Sequence, residues 1–91
     1  MSEGSDRVEE LRARIGANDR AIVGAVNERL RLVEELWALK RERGLDRVDP
    51  EREQRLLAEL AAANGGPLSD AGLERLLTEI LAVTKSELGP R

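Results

Sequence analysis

The stretch DRVEELRARIGANDRAIVGAVNERLRLVEELWALKRER, residues 6–43, decides the fold. Its apolar residues recur at intervals of three, four or seven positions, the spacing that places side chains on one face of an α-helix. We call them the apolar stripe: Val8, Leu11, Ile15, Ile22, Val26, Val33, Leu36 and Leu39. The stripe predicts one long helix, with Ser5 or Asp6 as its N-cap and Gly44 as its C-terminal stop.

Two shorter helices are predicted after this long one. Asp49 and Pro50 are typical of an N-cap and a first helical residue, and Ser69 is typical of a further N-cap. No stretch has the alternation of a strand. We therefore expect an all-α chain, forming a single domain over residues 1–91. Its predicted parts are helices over residues 6–43, 50–63 and 69–88 and a frayed tail over 89–91.

Composition excludes several classes of chemistry. The chain has no Cys and no His, so thiolate nucleophiles, disulfide bonds and the commonest zinc sites are excluded, and we expect no metal and no cofactor. A net charge of −3 and a single aromatic residue, Trp37, argue against a nucleic-acid partner. The chain has no apolar run long enough to span a membrane and no signal peptide, so the expected location is the cytoplasm.

Basic residues interrupt the apolar stripe. With Val8 at heptad position a, Arg29 falls on the seam of the helix, and Arg12 and Lys40 fall at its edge. A buried charge without a partner is expensive, so these side chains either reach water, pair with nearby glutamates or meet an anion. The candidate glutamates are Glu28, Glu34 and Glu35.

Helix geometry constrains which of these cations can share a ligand. Arg29 and Lys40 are 11 residues apart, close to three turns, so they project from one face roughly 16 Å apart. Arg12 is 28 residues from Lys40, or roughly 42 Å along the axis. Arg12 could therefore reach the same ligand only from a second, antiparallel copy of the helix. A chain of 91 residues also gains from sharing a core with a second copy.

A second polar cluster lies at the predicted start of the second helix. Arg52 and Glu53 follow Asp49 by three and four residues, which brings all three to one side of the helix end. Asp49 and Glu53 could simply cap the helix and complement its dipole. Arg52 does not favour that end of the helix, which makes it the more suggestive member of the cluster.

From Val8 to Leu88 the sequence resembles the all-helical, AroQ-type chorismate mutases. The resemblance rests on an ordered set of residues at the spacing of that family. These are Leu11-Arg12-Ala13-Arg14-Ile15, Asp19, Glu28-Arg29, Lys40, Asp49-Pro50-Glu51-Arg52-Glu53, Leu68-Ser69-Asp70, Ile80 and Thr84. The resemblance implies three helices per chain in an intertwined homodimer. It also implies the rearrangement of chorismate to prephenate in phenylalanine and tyrosine biosynthesis, without metal or cofactor.

The resemblance further implies how cations would bind the substrate. Arg12 of the other subunit would join Arg29 and Arg52 in holding the two carboxylates of chorismate. Lys40 would donate to the ether oxygen of the breaking bond. A unimolecular rearrangement of this kind needs restraint of the substrate and a cation where negative charge develops, and it needs no nucleophile.

The remaining residues of the implied site are carboxylates and a hydroxyl. Asp49 and Glu53 would orient the ring hydroxyl of chorismate, and Glu53 joins Lys40 and Arg29 as a catalytic residue. Thr84 stands where the family usually has Ser, and Leu88 stands where it commonly has a Gln that contacts the ether oxygen. A helix shift of one residue could present Glu87 instead, which would have to be protonated to donate and would favour activity at acidic pH.

Three other functions remain open from the sequence. Isochorismate pyruvate-lyases and 4-amino-4-deoxychorismate mutases resemble this family, although Asp49 and Glu53 favour chorismate. A non-catalytic helical dimer acting as an interaction module would explain Leu88, whereas Arg29 on the seam argues against it. Some members of the family are activated by another enzyme of the shikimate pathway, and such a complex is a further expectation.

Overall fold

Three helices make up the described part of the chain. The computed structural model describes residues 3–47 and 49–89. The helices are α1 (Glu3–Glu42), α2 (Pro50–Ala63) and α3 (Asp70–Leu88), and no strand occurs in these two ranges. The predicted all-α class with three helices is confirmed. Of the predicted tail, residues 90 and 91 lie outside the described ranges.

The two ends of α1 differ in how well the sequence predicts them. The helix begins at Glu3, so Ser5 and Asp6 lie inside it and the prediction that one of them is the N-cap is wrong. An acidic residue is favourable near the N-terminus of a helix, so Asp6 is tolerated inside α1 and does not have to cap it. At the other end, Gly44 stops the helix as predicted, with a positive φ of 67° that suits glycine.

Side-chain caps define the starts of α2 and α3. Asp49 accepts a hydrogen bond from the backbone N–H of Arg52 at 3.1 Å, and Pro50 occupies the first turn. Ser69 accepts one from the N–H of Gly72 at 3.0 Å. Such caps each contribute about 1 kcal/mol because they satisfy helix N–H groups that have no intrahelical partner. The structure confirms both predicted N-caps.

The loop between α2 and α3 is organised by Asn64. Its side-chain Nδ2 donates to the carbonyl of Leu68 at 2.7 Å, and its Oδ1 accepts from the N–H of Gly66 at 3.0 Å. These two bonds fix the chain between the helices, since they replace the bonds that a regular element would make. The contacts between α2 and α3 then hold the pair together.

The chain divides into two compact units, Met1–Arg31 and Leu32–Arg91, with the boundary inside α1. In the second unit, α2 and α3 pack together, and Leu73, Leu77 and Thr84 of α3 are the buried residues of the described ranges. Most of the apolar stripe is exposed: Val8, Leu11, Ile15 and Ile22 in the first unit, and Leu36 and Leu39 in the second. The single-domain organisation stays a prediction.

Candidate active site

Lys40 lies in the last turn of α1, where the chain turns back. The N–H of Leu45 donates to the carbonyl of Lys40 at 2.9 Å, and the N–H of Gly44 donates to that of Arg41 at 3.3 Å. This pair of bonds is the Schellman motif, which ends a helix on a left-handed residue. The Lys40 side chain is half-buried, and its Nζ donates to the carbonyl oxygen of Arg47 at 3.3 Å.

Arg47 also contacts the only aromatic ring of the chain. Its guanidinium carbon lies 4.4 Å from the centroid of the Trp37 ring, within the range of a cation–π interaction. Both residues are half-buried, so the contact contributes about 1 kcal/mol. The backbone of residue 47 is thereby held next to the last turns of α1.

Asp49, Arg52 and Glu53 come together at the start of α2. The side chain of Asp49 accepts a hydrogen bond from the backbone N–H of Arg52. The backbone carbonyl of Asp49 accepts one from the N–H of Glu53 at 3.1 Å. The capping role weighed for Asp49 is therefore confirmed. The side chain of Arg52 is exposed and that of Glu53 is half-buried. The carboxylate of Asp49 keeps a second oxygen that the cap does not use.

Thr84 lies on the inner side of α3, 5% exposed. Its hydroxyl donates to the carbonyl of Ile80 at 2.8 Å. A hydroxyl has one proton, so Thr84 in this rotamer can accept a hydrogen bond from a ligand, and it must rotate to donate one. Leu88, one turn later, is half-buried, and Glu87 is exposed.

Arg12 and Arg29 belong to the first unit. Arg12 is exposed, with its Nη1 3.2 Å from the Oε1 of Glu9 in an ion pair whose side chains are 72% and 73% accessible. Such an exposed pair contributes little to stability and leaves the arginine available to a stronger partner. Arg29 is half-buried. Of the glutamates suggested as its partners, Glu28 forms an ion pair with Arg31 at 3.5 Å.

The comparison with protein families assigns the chain. The family described as chorismate mutase type II matches residues 11–87, a range that contains every predicted site residue. The chain belongs to the type II chorismate mutase family. Its reaction is therefore the isomerisation of chorismate to prephenate on the route to phenylalanine and tyrosine. The reading as a non-catalytic interaction module is set aside on the same ground.

Solved structures of chorismate mutase agree with this assignment. Form I of the enzyme from Thermus thermophilus is 38% identical, with a TM-score of 0.82, and the match covers 86% of this chain and 98% of that one. Form II is also 38% identical, with a TM-score of 0.83, covering 88% and 91%. No curated protein matches the chain. In the described ranges, no helix is long and apolar enough to cross a membrane.

One surface depression of this chorismate mutase does not fit the substrate. It has a volume of about 610 Å³ and lies along one side of α3. Its single arginine is accompanied by two glutamates, which is unsuitable for a molecule with two carboxylates. It contains none of the predicted site residues, being lined by Ala71, Gly72, Glu74, Arg75, Leu76, Thr78 and Glu79.

Sequence reasoning about this chorismate mutase missed Arg47 and Trp37. Their contact depends on the reversal of the chain after α1, which helical periodicity does not describe. A signal was present, because a glycine stop at Gly44 directs the next residues back along the helix. An arginine three residues after that glycine can then reach a tryptophan near the helix end.

Proposed function

We propose that the chain works as an intertwined homodimer and that each of its two active sites takes residues from both subunits. The exposed part of the apolar stripe supports this proposal. Ile15 is 60% exposed in the single chain, Ile22 53% and Leu36 48%. A solvent-exposed apolar face of this length marks an interaction surface. A second copy of α1 offers a face of the same chemistry, as a two-fold interface requires.

The free energy gained by burying the exposed apolar side chains is large enough to support a stable dimer. Completing the burial of a half-exposed Leu, Ile or Val contributes about 1 kcal/mol. Over the exposed stripe residues this is several kcal/mol per chain, comparable with the net stability of a small domain. The buried core of the described residues is small, since α2 has no buried residue and α3 has three. Dimerisation therefore stabilises the fold as well as completing the site.

The cations of the site match a dianion. We propose that Arg29 and Arg52 of one subunit and Arg12 of the other bind the two carboxylates of chorismate. Arginine suits this task because its planar fork makes two parallel hydrogen bonds to a carboxylate. The Glu9 partner of Arg12 is exposed and in water, so exchange for a substrate carboxylate costs little.

Lys40 is the proposed donor to the ether oxygen. The bond to that oxygen breaks during the rearrangement, and negative charge develops there. An ammonium held at this position stabilises the transition state more than the ground state, which is what accelerates the reaction. The half-buried setting of Lys40 strengthens the interaction, because water screens it less. Holding the substrate in a compact conformation provides the remaining acceleration.

The other side of the substrate faces acceptors. Glu53 and the free oxygen of Asp49 are proposed to accept from the ring hydroxyl. Thr84 is proposed to line the pocket beside them. Glu87 is the weakest member, because it is exposed while Leu88, four residues after Thr84, occupies the same face of α3. With Leu88 there, Lys40 alone serves the ether oxygen. The isolated dimer would then have a low turnover, which a complex with another enzyme of the pathway could raise.

Subunit complementation tests the shared site. We expect Arg12→Ala and Lys40→Ala to have little activity when each is tested alone. The Lys40 change should lower kcat by about 10²–10³. Unfolding them together and refolding the mixture produces mixed dimers. In each mixed dimer one site has both native residues, so we expect about one quarter of wild-type turnover of chorismate.

The controls are each variant refolded alone and the wild type refolded at the same concentration. If Arg12 acted on the Lys40 of its own chain, every site in the mixture would lack one of the two residues. A mixture no more active than its parents would therefore refute the shared site. Identification of prephenate as the product distinguishes the mutase from the lyase and from the aminodeoxychorismate enzyme.

A further inference from the structure

We propose that Arg47 is a positioning residue for Lys40, and that its stack on the Trp37 ring holds it in place for this task. The inference rests on the proposed role of Lys40 as donor to the ether oxygen. It extends that role to two residues that make no proposed contact with the substrate.

The turn after α1 brings Arg47 to the place where it acts. Gly44 adopts a φ of 67°, and the N–H of Leu45 returns to the carbonyl of Lys40 at 2.9 Å. The following residues therefore run back beside the last turns of the helix. Trp37 and Lys40 are three residues apart on these turns, so they are neighbours on one face.

The side chain of Arg47 is held by the Trp37 ring, and its backbone carbonyl restrains Lys40. Its guanidinium carbon lies 4.4 Å from the Trp37 centroid, and its carbonyl oxygen accepts from Lys40 Nζ at 3.3 Å. All three residues are half-buried. Arg47 thus contacts the Trp37 ring through its side chain and the Lys40 ammonium through its backbone carbonyl.

A lysine needs such a restraint more than an arginine does. Its ammonium sits on a flexible four-carbon stem with many rotamers. A backbone carbonyl can restrict these rotamers only if its own peptide is fixed, and the stack on Trp37 fixes it. An ammonium has three N–H donors, and the Arg47 carbonyl takes one, so donors remain for the ligand. Since the restraint aims the ammonium at the reacting oxygen, its loss lowers kcat more than it changes KM.

The test uses the whole 91-residue chain and four single variants. Arg47→Leu and Trp37→Leu remove the two halves of the stack, while Arg47→Lys keeps a cation over the ring. Arg43→Leu is the control, since it removes an exposed arginine from the same turn. We expect kcat for chorismate to fall about ten-fold in Arg47→Leu and Trp37→Leu, with little change in KM. Arg47→Lys and Arg43→Leu should stay close to the wild type.

A second series places Arg47→Leu in the Lys40→Ala background, where we expect no further loss of kcat. A purely structural role for the stack would lower the activity of the double variant again, and this result would overturn the inference. Full kcat in Arg47→Leu, or an equal loss in Arg43→Leu, would overturn it too. Trp37→Leu removes a half-buried side chain and can affect folding, so Arg47→Leu decides the case. An inactive wild type would refute the assigned activity, whereas an active wild type with an unaffected Arg47→Leu refutes only the positioning role.

Discussion

Asp49 has a structural task and a proposed binding task that substitution can separate. Serine is as good an N-cap as aspartate, but its short side chain carries no carboxylate. We therefore expect Asp49→Ser to keep the cap, to lose only the ~0.3–1 kcal/mol of the charge at the helix N-terminus, and to raise KM for chorismate. Asp49→Ala removes the cap on the Arg52 N–H as well, and should lower the free energy of unfolding by about 1 kcal/mol. Urea unfolding and steady-state kinetics measure the two effects.

An unchanged KM in Asp49→Ser would confine Asp49 to capping. Serine at this position also loses the favourable charge at the helix N-terminus, so Asp49→Asn is the matched control, because it loses the same charge and keeps the cap in a side chain of the same size. At this scale the sequence predicts what depends on neighbours along the chain. Both N-caps are read from Asp49-Pro50 and from Ser69 alone, whereas the contact of Arg47 with Trp37 requires the path of the turn.

At the scale of elements, the C-terminal end of α1 depends on a left-handed residue. We expect Gly44→Ala to lower the free energy of unfolding by about 1 kcal/mol, because a side chain at a φ of 67° crowds the backbone. Gly24→Ala is the matched control inside the same helix, where an added Cβ has open space within 4 Å. This second change should raise stability by about 0.5–1 kcal/mol.

Urea unfolding of both variants at one protein concentration gives the comparison, since the stability of the proposed dimer would vary with concentration. Changes of the same sign would contradict the interpretation.

The stop at Gly44 is visible in the sequence because glycine there is a local requirement. The start of α1 at Glu3 is not, because Ser5 and Asp6 are good caps that the helix passes through. Cap preferences are small energies, and continuation of the helix outweighs them here.

At the scale of the whole molecule, the exposed stripe predicts that the second copy is required. We expect Ile15→Glu to abolish the proposed dimer and the turnover of chorismate, because it would place a charge in the proposed apolar interface. Ala13→Glu adds the same charge at an exposed residue two positions earlier, and should keep both. Sedimentation velocity gives the oligomeric state, and circular dichroism gives the helix content.

A dimeric and active Ile15→Glu variant would remove the stripe from the proposed interface. The sequence predicts the stripe through periodicity, and it predicts the candidate site through the family resemblance, with which the common helix face of Arg29 and Lys40 agrees. How two copies would pack in the proposed dimer is not encoded directly by any pattern within one chain. The sequence separation favours a second copy, since Arg12 and Lys40 are 28 residues apart, roughly 42 Å of ideal helix, and one small ligand cannot reach both.

The single tryptophan has a practical consequence. With no Tyr and no Phe in the chain, all near-ultraviolet emission comes from the ring of Trp37. A guanidinium lies 4.4 Å from that ring, and its carrier residue binds the ammonium of Lys40. The protein thus contains its own optical reporter beside Lys40, the proposed donor to the ether oxygen. Quenching or spectral shifts during turnover can follow this region without any attached dye.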